Sequence, residues 1–101
     1  MSFTYSFYRK IEGARKPECF AYQGATVGKN SWLWRLKETE GGRIEGYGYP
    51  SWIIAKAKFV IPQLLADFEA YASYPDSFKI YGDLTDFDDE ELIEIEAWDQ
   101  N

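Results

Sequence analysis

Phe3, Tyr5 and Phe7 alternate with Thr4, Ser6 and Tyr8, the two-residue period of a strand with one buried face, which predicts a strand over residues 2–9. Gly13 and Pro17 among the charges of residues 11–18 predict a loop, and residues 20–27 a second strand weakened by Gly24. Gly28-Lys29-Asn30-Ser31 carries turn chemistry and leads into residues 32–37, where an extended chain places Trp32, Trp34 and Leu36 on one face of a third strand. Residues 38–42 (ETEGG) are expected to connect a hairpin, because paired glycines accept the positive φ of tight turns. Residues 43–49 form its return strand, and neighbouring antiparallel strands make a meander.

Past Pro50 the pattern is less decided. Ile53, Ala55, Ala57 and Phe59 alternate with Ile54, Lys56 and Lys58, which predicts a strand over residues 52–60, although the alanines would also suit a helix. Pro62 fits the first position of a helix, where its missing N–H has no intrahelical partner. From there to residue 72, Leu64, Leu65, Phe68, Tyr71 and Ala72 form one apolar stripe, predicting an amphipathic helix over residues 62–72. Residues 78–81 are a short strand ending at Gly82, and residues 83–91 (DLTDFDDEE) are a loop or a single helical turn, too acidic for core. In residues 92–98, Ile93, Ile95 and Ala97 share one face while Glu94, Glu96 and Trp98 share the other, so the chain returns to the sheet. The expected fold is an α+β domain over residues 1–101. It has an antiparallel sheet of about five to seven strands in a meander, with one main helix packed on one face.

Composition adds two points. A chain of 101 residues can bury one core but not two, and 19% aromatic residues favour half-buried pleated surfaces. The N-terminal residues show no apolar stretch behind a basic flank, and no run approaches the length of a membrane span, so a cytoplasmic protein is expected. Cys19 is the single cysteine and there is no His, which suits a reducing compartment and a thiol acting as a small apolar residue.

Familiar site motifs fail on spacing or composition. Residues 24–31 (GATVGKNS) have three residues between the glycines where a P-loop has four, and Asn30 stands where Ser or Thr should follow the lysine. A calcium loop begun at Asp83 puts Phe87 at the fifth position and Asp88 where glycine is needed; begun at Asp86 it puts Ala97 where a bidentate Glu belongs. A looser cation site at Asp86, Asp88 and Asp89 is the remaining metal alternative. One Cys without His supplies neither a zinc site nor a nucleophile–His–acid triad. Paired carboxylates could serve glycoside chemistry, but that needs a cleft a small meander is poorly suited to build. The expectation is no enzyme, no cofactor and no metal.

Charge is distributed unevenly. Residues 83–101 hold nine acids and no Lys or Arg, whereas residues 1–82 hold all eleven Lys and Arg and eight acids. Phe87, Leu92, Ile93, Ile95 and Trp98 interleave with these acids, so an ordered segment is expected, one that either leans on Arg9, Lys10, Arg15 and Lys16 or presents a fixed field to a basic partner. The candidate partner-binding residues are Asp83, Asp86, Asp88, Asp89, Glu90, Glu91, Glu94, Glu96 and Trp98. Net charge −6 has the wrong sign for direct nucleic-acid binding. The expected function is non-enzymatic binding and inhibition of a protein with a basic surface, such as a nucleic-acid-handling enzyme whose phosphate site the acids would occupy. In size, acidity and lack of chemistry the chain is similar to immunity proteins and to phage anti-restriction and anti-CRISPR proteins as a class, without sharing a motif with them. Two alternatives stand beside this: a small-ligand or carbohydrate module stacking on Trp32, Trp34, Tyr47, Tyr49 and Trp52, and an accessory domain whose acidic face serves solubility only.

Overall fold

The structure is a computed structural model that describes residues 3–24, 31–46, 50–73 and 77–99. Its centre is a six-stranded antiparallel sheet in the order β3-β4-β6-β1-β2-β5, formed by β1 (Phe3–Arg9), β2 (Glu18–Gln23), β3 (Arg43–Glu45), β4 (Ser51–Lys56), β5 (Phe78–Ile80) and β6 (Leu92–Asp99). Two helices accompany it, α1 (Ser31–Arg35), continued by a 3-10 turn at Leu36–Glu38, and α2 (Ala57–Ala70). The α+β class, the antiparallel sheet and the single main helix agree with the sequence pattern. Only β1–β2 and β3–β4 are neighbours in both sequence and space, because β6 enters between β4 and β1 and β5 lies beyond β2.

The alternation in the inner strands is what assembles the core. Tyr5 and Phe7 of β1 share a face with Ile93, Ile95 and Ala97 of β6 and with Ile53 and Ala55 of β4, as the registers Phe7↔Ile95 and Ile53↔Ile95 require. Against this face pack Leu33 of α1, Leu36, and Val60 and Leu64 of α2, giving one contiguous apolar cluster. A bulge between Phe7 and Tyr8 lets both Phe20 and Ala21 of β2 turn inward. The 83–91 segment closes the far side, with Leu84 buried and the Phe87 ring centroid 4.8 Å from that of Phe20.

Several expectations are corrected. Residues 32–37 are helical rather than extended: a strand would have pointed Leu33 away from Leu36, whereas a helix turns both into the core. The indoles then splay sideways, Trp34 Nε1–H donating to the Tyr5 hydroxyl at 3.0 Å and Trp32 Nε1–H to Asp67 at 2.8 Å. The 38–42 turn accordingly joins a 3-10 turn, not a strand, to β3.

The strand expected over residues 52–60 stops at Lys56, and the helix expected over 62–72 already begins at Ala57, so Pro62 lies inside it. Ala57, Val60 and Leu64 are buried at helical spacing, but Ala57 and Phe59 also fit a period of two, which hides the changeover. The early start turns the stripe: Leu65 and Phe68 are 44% and 41% exposed instead of core. A proline there removes one helical hydrogen bond. The first turn is held from outside instead, Ala57 N–H donating to the Glu91 carbonyl at 2.7 Å and Lys58 N–H to that of Asp89 at 3.1 Å.

The strand expected over residues 20–27 ends at Gln23, and the parts of that expectation, of the 28–31 turn and of the 43–49 strand that fall on residues 25–30 and 47–49 lie outside the described residues. Among the described residues no helix is long and apolar enough to cross a membrane.

Candidate partner-binding surface

The nine candidate residues divide into two settings. Asp83, Asp86, Asp88, Asp89, Glu90 and Glu91 lie on the loop between β5 and β6, and Glu94, Glu96 and Trp98 lie on β6 itself.

The loop is ordered by its own chain. Asp83 Oδ1 accepts from the Thr85 N–H at 2.8 Å and from its hydroxyl at 2.6 Å, which holds the carboxyl below its ordinary pKa. Arg9 donates to both oxygens of Glu91 at 2.9 and 2.8 Å, and its guanidinium lies 4.1 Å from the Phe87 ring centroid. Asp86 is 3.6 Å from the same guanidinium. Glu90 meets Lys56 at 3.0 Å and Lys58 at 3.3 Å. Hydrogen bonds from these two lysines hold the Glu90 carboxyl below its ordinary pKa, so this pairing contributes above the usual carboxylate range and is lost as pH falls through the depressed value. The loop also caps the N-terminal end of α2, whose first amide groups donate to the backbone carbonyls of Glu91 and Asp89. Asp86, Glu90 and Glu91 therefore serve first to fasten the loop, by way of Arg9, Lys56 and Lys58. Asp88 and Asp89 are exposed.

The Arg9 contacts are the strongest of this set, because both Arg9 and Glu91 are largely withdrawn from water, with side chains 18% and 20% exposed. Arg9→Met should lower the unfolding free energy by about 2 kcal/mol, since a two-pronged charged pair and a cation–ring contact are lost together. Hydrogen exchange at the amides of residues 86–91 should quicken at the same time, whereas unchanged exchange there would show that Arg9 does not hold the loop.

Glu94, Glu96 and Trp98 stand on the sheet face opposite the helices. Strand register makes ordered rows there. One row runs Glu45, Trp52, Glu96, Ser6, Tyr22, Lys79, and the next runs Arg43, Ile54, Glu94, Tyr8, Cys19. The Tyr8 and Trp52 rings meet across β6 with centroids 5.9 Å apart and planes tilted by 47°. The Tyr8 hydroxyl donates to Glu96 Oε1 at 3.4 Å. Burial first, and then the charge of Glu96, push the Tyr8 hydroxyl above its ordinary pKa, so it stays protonated at neutral pH. Cys19 is half-buried beside it, its thiol donating to the Ala21 carbonyl at 3.4 Å; burial pushes that thiol up, away from the reactive thiolate. Trp98, 38% exposed, is the most open of the three β6 residues.

Three bases lie on the strands of this face. Arg43 pairs with Glu45 at 2.5 Å, Lys56 pairs with Glu40 at 2.7 Å and with Glu90, and Lys79 lies on the edge strand β5. Among the described residues no Lys or Arg forms an ion pair with Glu94 or Glu96. Two neighbouring carboxylates on the central strand thus share a half-buried face with two aromatic rings, and among the described residues no cation pairs with them.

Of the described aromatic residues expected as a stacking surface, only Trp52 lies on this face. Trp32 and Trp34 pack against the core from α1, and Tyr47 and Tyr49 lie outside the described residues. Tyr8 was not singled out as a site residue, yet its position beside Thr4 and Ser6 on the second face of the first strand was visible in the alternation. Its meeting with Trp52 was not, because that depends on β6 bringing β1 and β4 to within two strand spacings.

Among the described residues, no group of three or more Cys, Asp or Glu side chains is placed to hold a metal ion. Compared with protein-family models, curated proteins and solved structures, the chain finds no significant match in any of the three, so its sheet-face chemistry stands without a family to interpret it.

Proposed function

We propose that this chain is a non-enzymatic acidic binding protein that engages a basic surface of a protein partner and inhibits it, a nucleic-acid-handling enzyme being the partner whose phosphate-binding groove best suits such a surface. The observation that carries the reading is the pair Glu94 and Glu96, unpaired with any described cation and fixed on the central strand between Tyr8, Trp52 and Trp98. Fixed carboxylates offer a cationic partner fast encounter, and neighbouring rings offer the apolar anchors that slow its departure. Exposed Asp88 and Asp89 extend the same sign of charge past the end of β6. Asp83, Asp86, Glu90 and Glu91 add to the long-range field while remaining engaged within the chain.

The test begins with affinity purification of the tagged protein from its native cell and continues with the purified partner. Raising salt from about 50 to about 200 mM should weaken the complex about tenfold or more, and Glu94→Gln with Glu96→Gln should weaken it comparably at low salt. A complex indifferent to both changes, or recovery of a metabolite alone, overturns the proposal.

A further inference from the structure

We infer that Tyr8, Trp52, Glu94 and Glu96 form a subsite for one arginine side chain of the partner, a deepening that rests on the binding function just proposed. The chain supplies its own template for such a site. Arg9 lies 4.1 Å from the Phe87 centroid while donating to both oxygens of Glu91, so a ring and a carboxylate together hold one guanidinium. The sheet face repeats these components. It has two rings 5.9 Å apart and two carboxylates on alternate residues of β6, and the cation is the missing member.

The cations on the strands of this face do not fill it. Arg43 and Lys56 are engaged with Glu45, Glu40 and Glu90. Lys79 belongs to the row of Glu96 but stands three strands away, about 14 Å at ordinary strand spacing. The Tyr8 hydroxyl engages Glu96 Oε1, which orients the carboxylate and leaves Oε2 to accept from an incoming donor. Neighbouring carboxylates repel one another, and a cation placed between them offsets that repulsion by attracting both.

Arginine fits better than lysine for a geometric reason. Its guanidinium is planar, so it can lie against the Trp52 or Tyr8 ring while its edge presents several N–H donors to Glu94 and Glu96 at once. An ammonium group is compact and strongly hydrated, and it cannot stack and make a two-pronged contact together. The rigid sheet holds all four side chains on adjacent strands, so little further ordering is needed on binding.

The probe is a capped hexapeptide of alternating Gly and Arg, with its Gly-Lys analogue as comparison, titrated at about 20 mM salt, where charge attraction is little screened. Binding is followed by NMR through the indole N–H of Trp52 and the backbone amides of Tyr8, Glu94 and Glu96. The arginine peptide should shift these signals saturably and bind about threefold or more tighter than the lysine peptide. Glu96→Gln, close in shape to the original, should weaken it about fivefold, and Trp52→Leu should do the same, whereas Glu69→Gln, at an exposed position of α2, should change it less than about twofold and Asp88→Asn with Asp89→Asn should weaken it less than Glu96→Gln does. Thermal melting of Glu96→Gln at the wild-type temperature separates lost recognition from lost folding. Saturable binding that ignores Glu96→Gln and follows Asp88 and Asp89, or equal binding of the two peptides, overturns the arginine subsite and leaves the acidic-binder function standing. Absence of binding by either peptide up to about 5 mM, weaker than ordinary specific recognition, overturns both.

Discussion

Asp67→Ala should lower the unfolding free energy by about 3 kcal/mol, because one carboxylate oxygen of Asp67 joins three elements of the fold and each buried donor left behind costs about 1–3 kcal/mol. Asp67 Oδ2 accepts from Gln23 Nε2 at 3.1 Å and from Trp32 Nε1 at 2.8 Å, linking α2 to β2 and α1. Gln23 is fully buried on the core face, in register with Tyr5 of β1 and Phe78 of β5. Loss of the carboxylate takes one acceptor from its amide and one from the Trp32 indole. Asp67→Asn keeps a carbonyl oxygen in place and should cost only about 1 kcal/mol, the charge-assisted share of the two bonds. Denaturant unfolding of both variants followed by tryptophan fluorescence checks the ranking. Equal losses would mean that the contact works through shape and not through hydrogen bonding.

Gly42→Ala should be of similar size, about 3 kcal/mol, at the upper end of what overpacking costs. A Cβ on Gly42 would stand 2.0 Å from the Leu36 carbonyl oxygen and 2.8 Å from the Thr39 hydroxyl oxygen. The carbonyl is backbone already engaged by Thr39, whose N–H and hydroxyl donate to it at 3.0 and 2.6 Å, so it cannot swing aside cheaply. The adjacent Gly41 is different. Its φ of +81° is the conformation glycine adopts most readily, and its nearest neighbour is the flexible end of Lys56 at 3.1 Å. Gly41→Ala should therefore cost about 1 kcal/mol, the usual price of a left-handed residue with a side chain. A thermal melt of the two variants compares them directly, and a larger loss at Gly41 than at Gly42 would overturn the steric account. Both glycines were marked by the sequence as a turn requiring positive φ, but only Gly41 has it. What holds Gly42 is close approach of the backbone, which no local pattern reveals.

The candidate surface was partly legible for the same kind of reason. The alternation in residues 92–98 assigned Ile93, Ile95 and Ala97 to the core and Glu94, Glu96 and Trp98 to the other face, as the structure has them. The charge count found the acidic segment but could not distinguish a carboxylate that fastens a loop from one that faces outward. Glu91 and Glu94 look alike in sequence. The first is engaged by Arg9, 82 residues earlier, and the second faces a tyrosine from the opposite end of the chain.

Leu84 enters the core from an acidic segment expected to stay out of it, so what the sequence alone dictates is narrower: which strand residues turn inward and where turns with glycine fall. These follow from side-chain geometry over a few residues, where alternation allows only one buried face. Tertiary structure alone decided that residues 32–37 coil, that α2 begins before its proline, and that β6 lies between β1 and β4. In none of the three does the local pattern select one arrangement: the apolar positions of residues 32–37 and 57–60 fit either a strand or a helix, and alternation within β6 does not name its neighbours. Contacts with distant residues, such as Asp67 with Trp32 and the Glu91 carbonyl with Ala57, then select the arrangement.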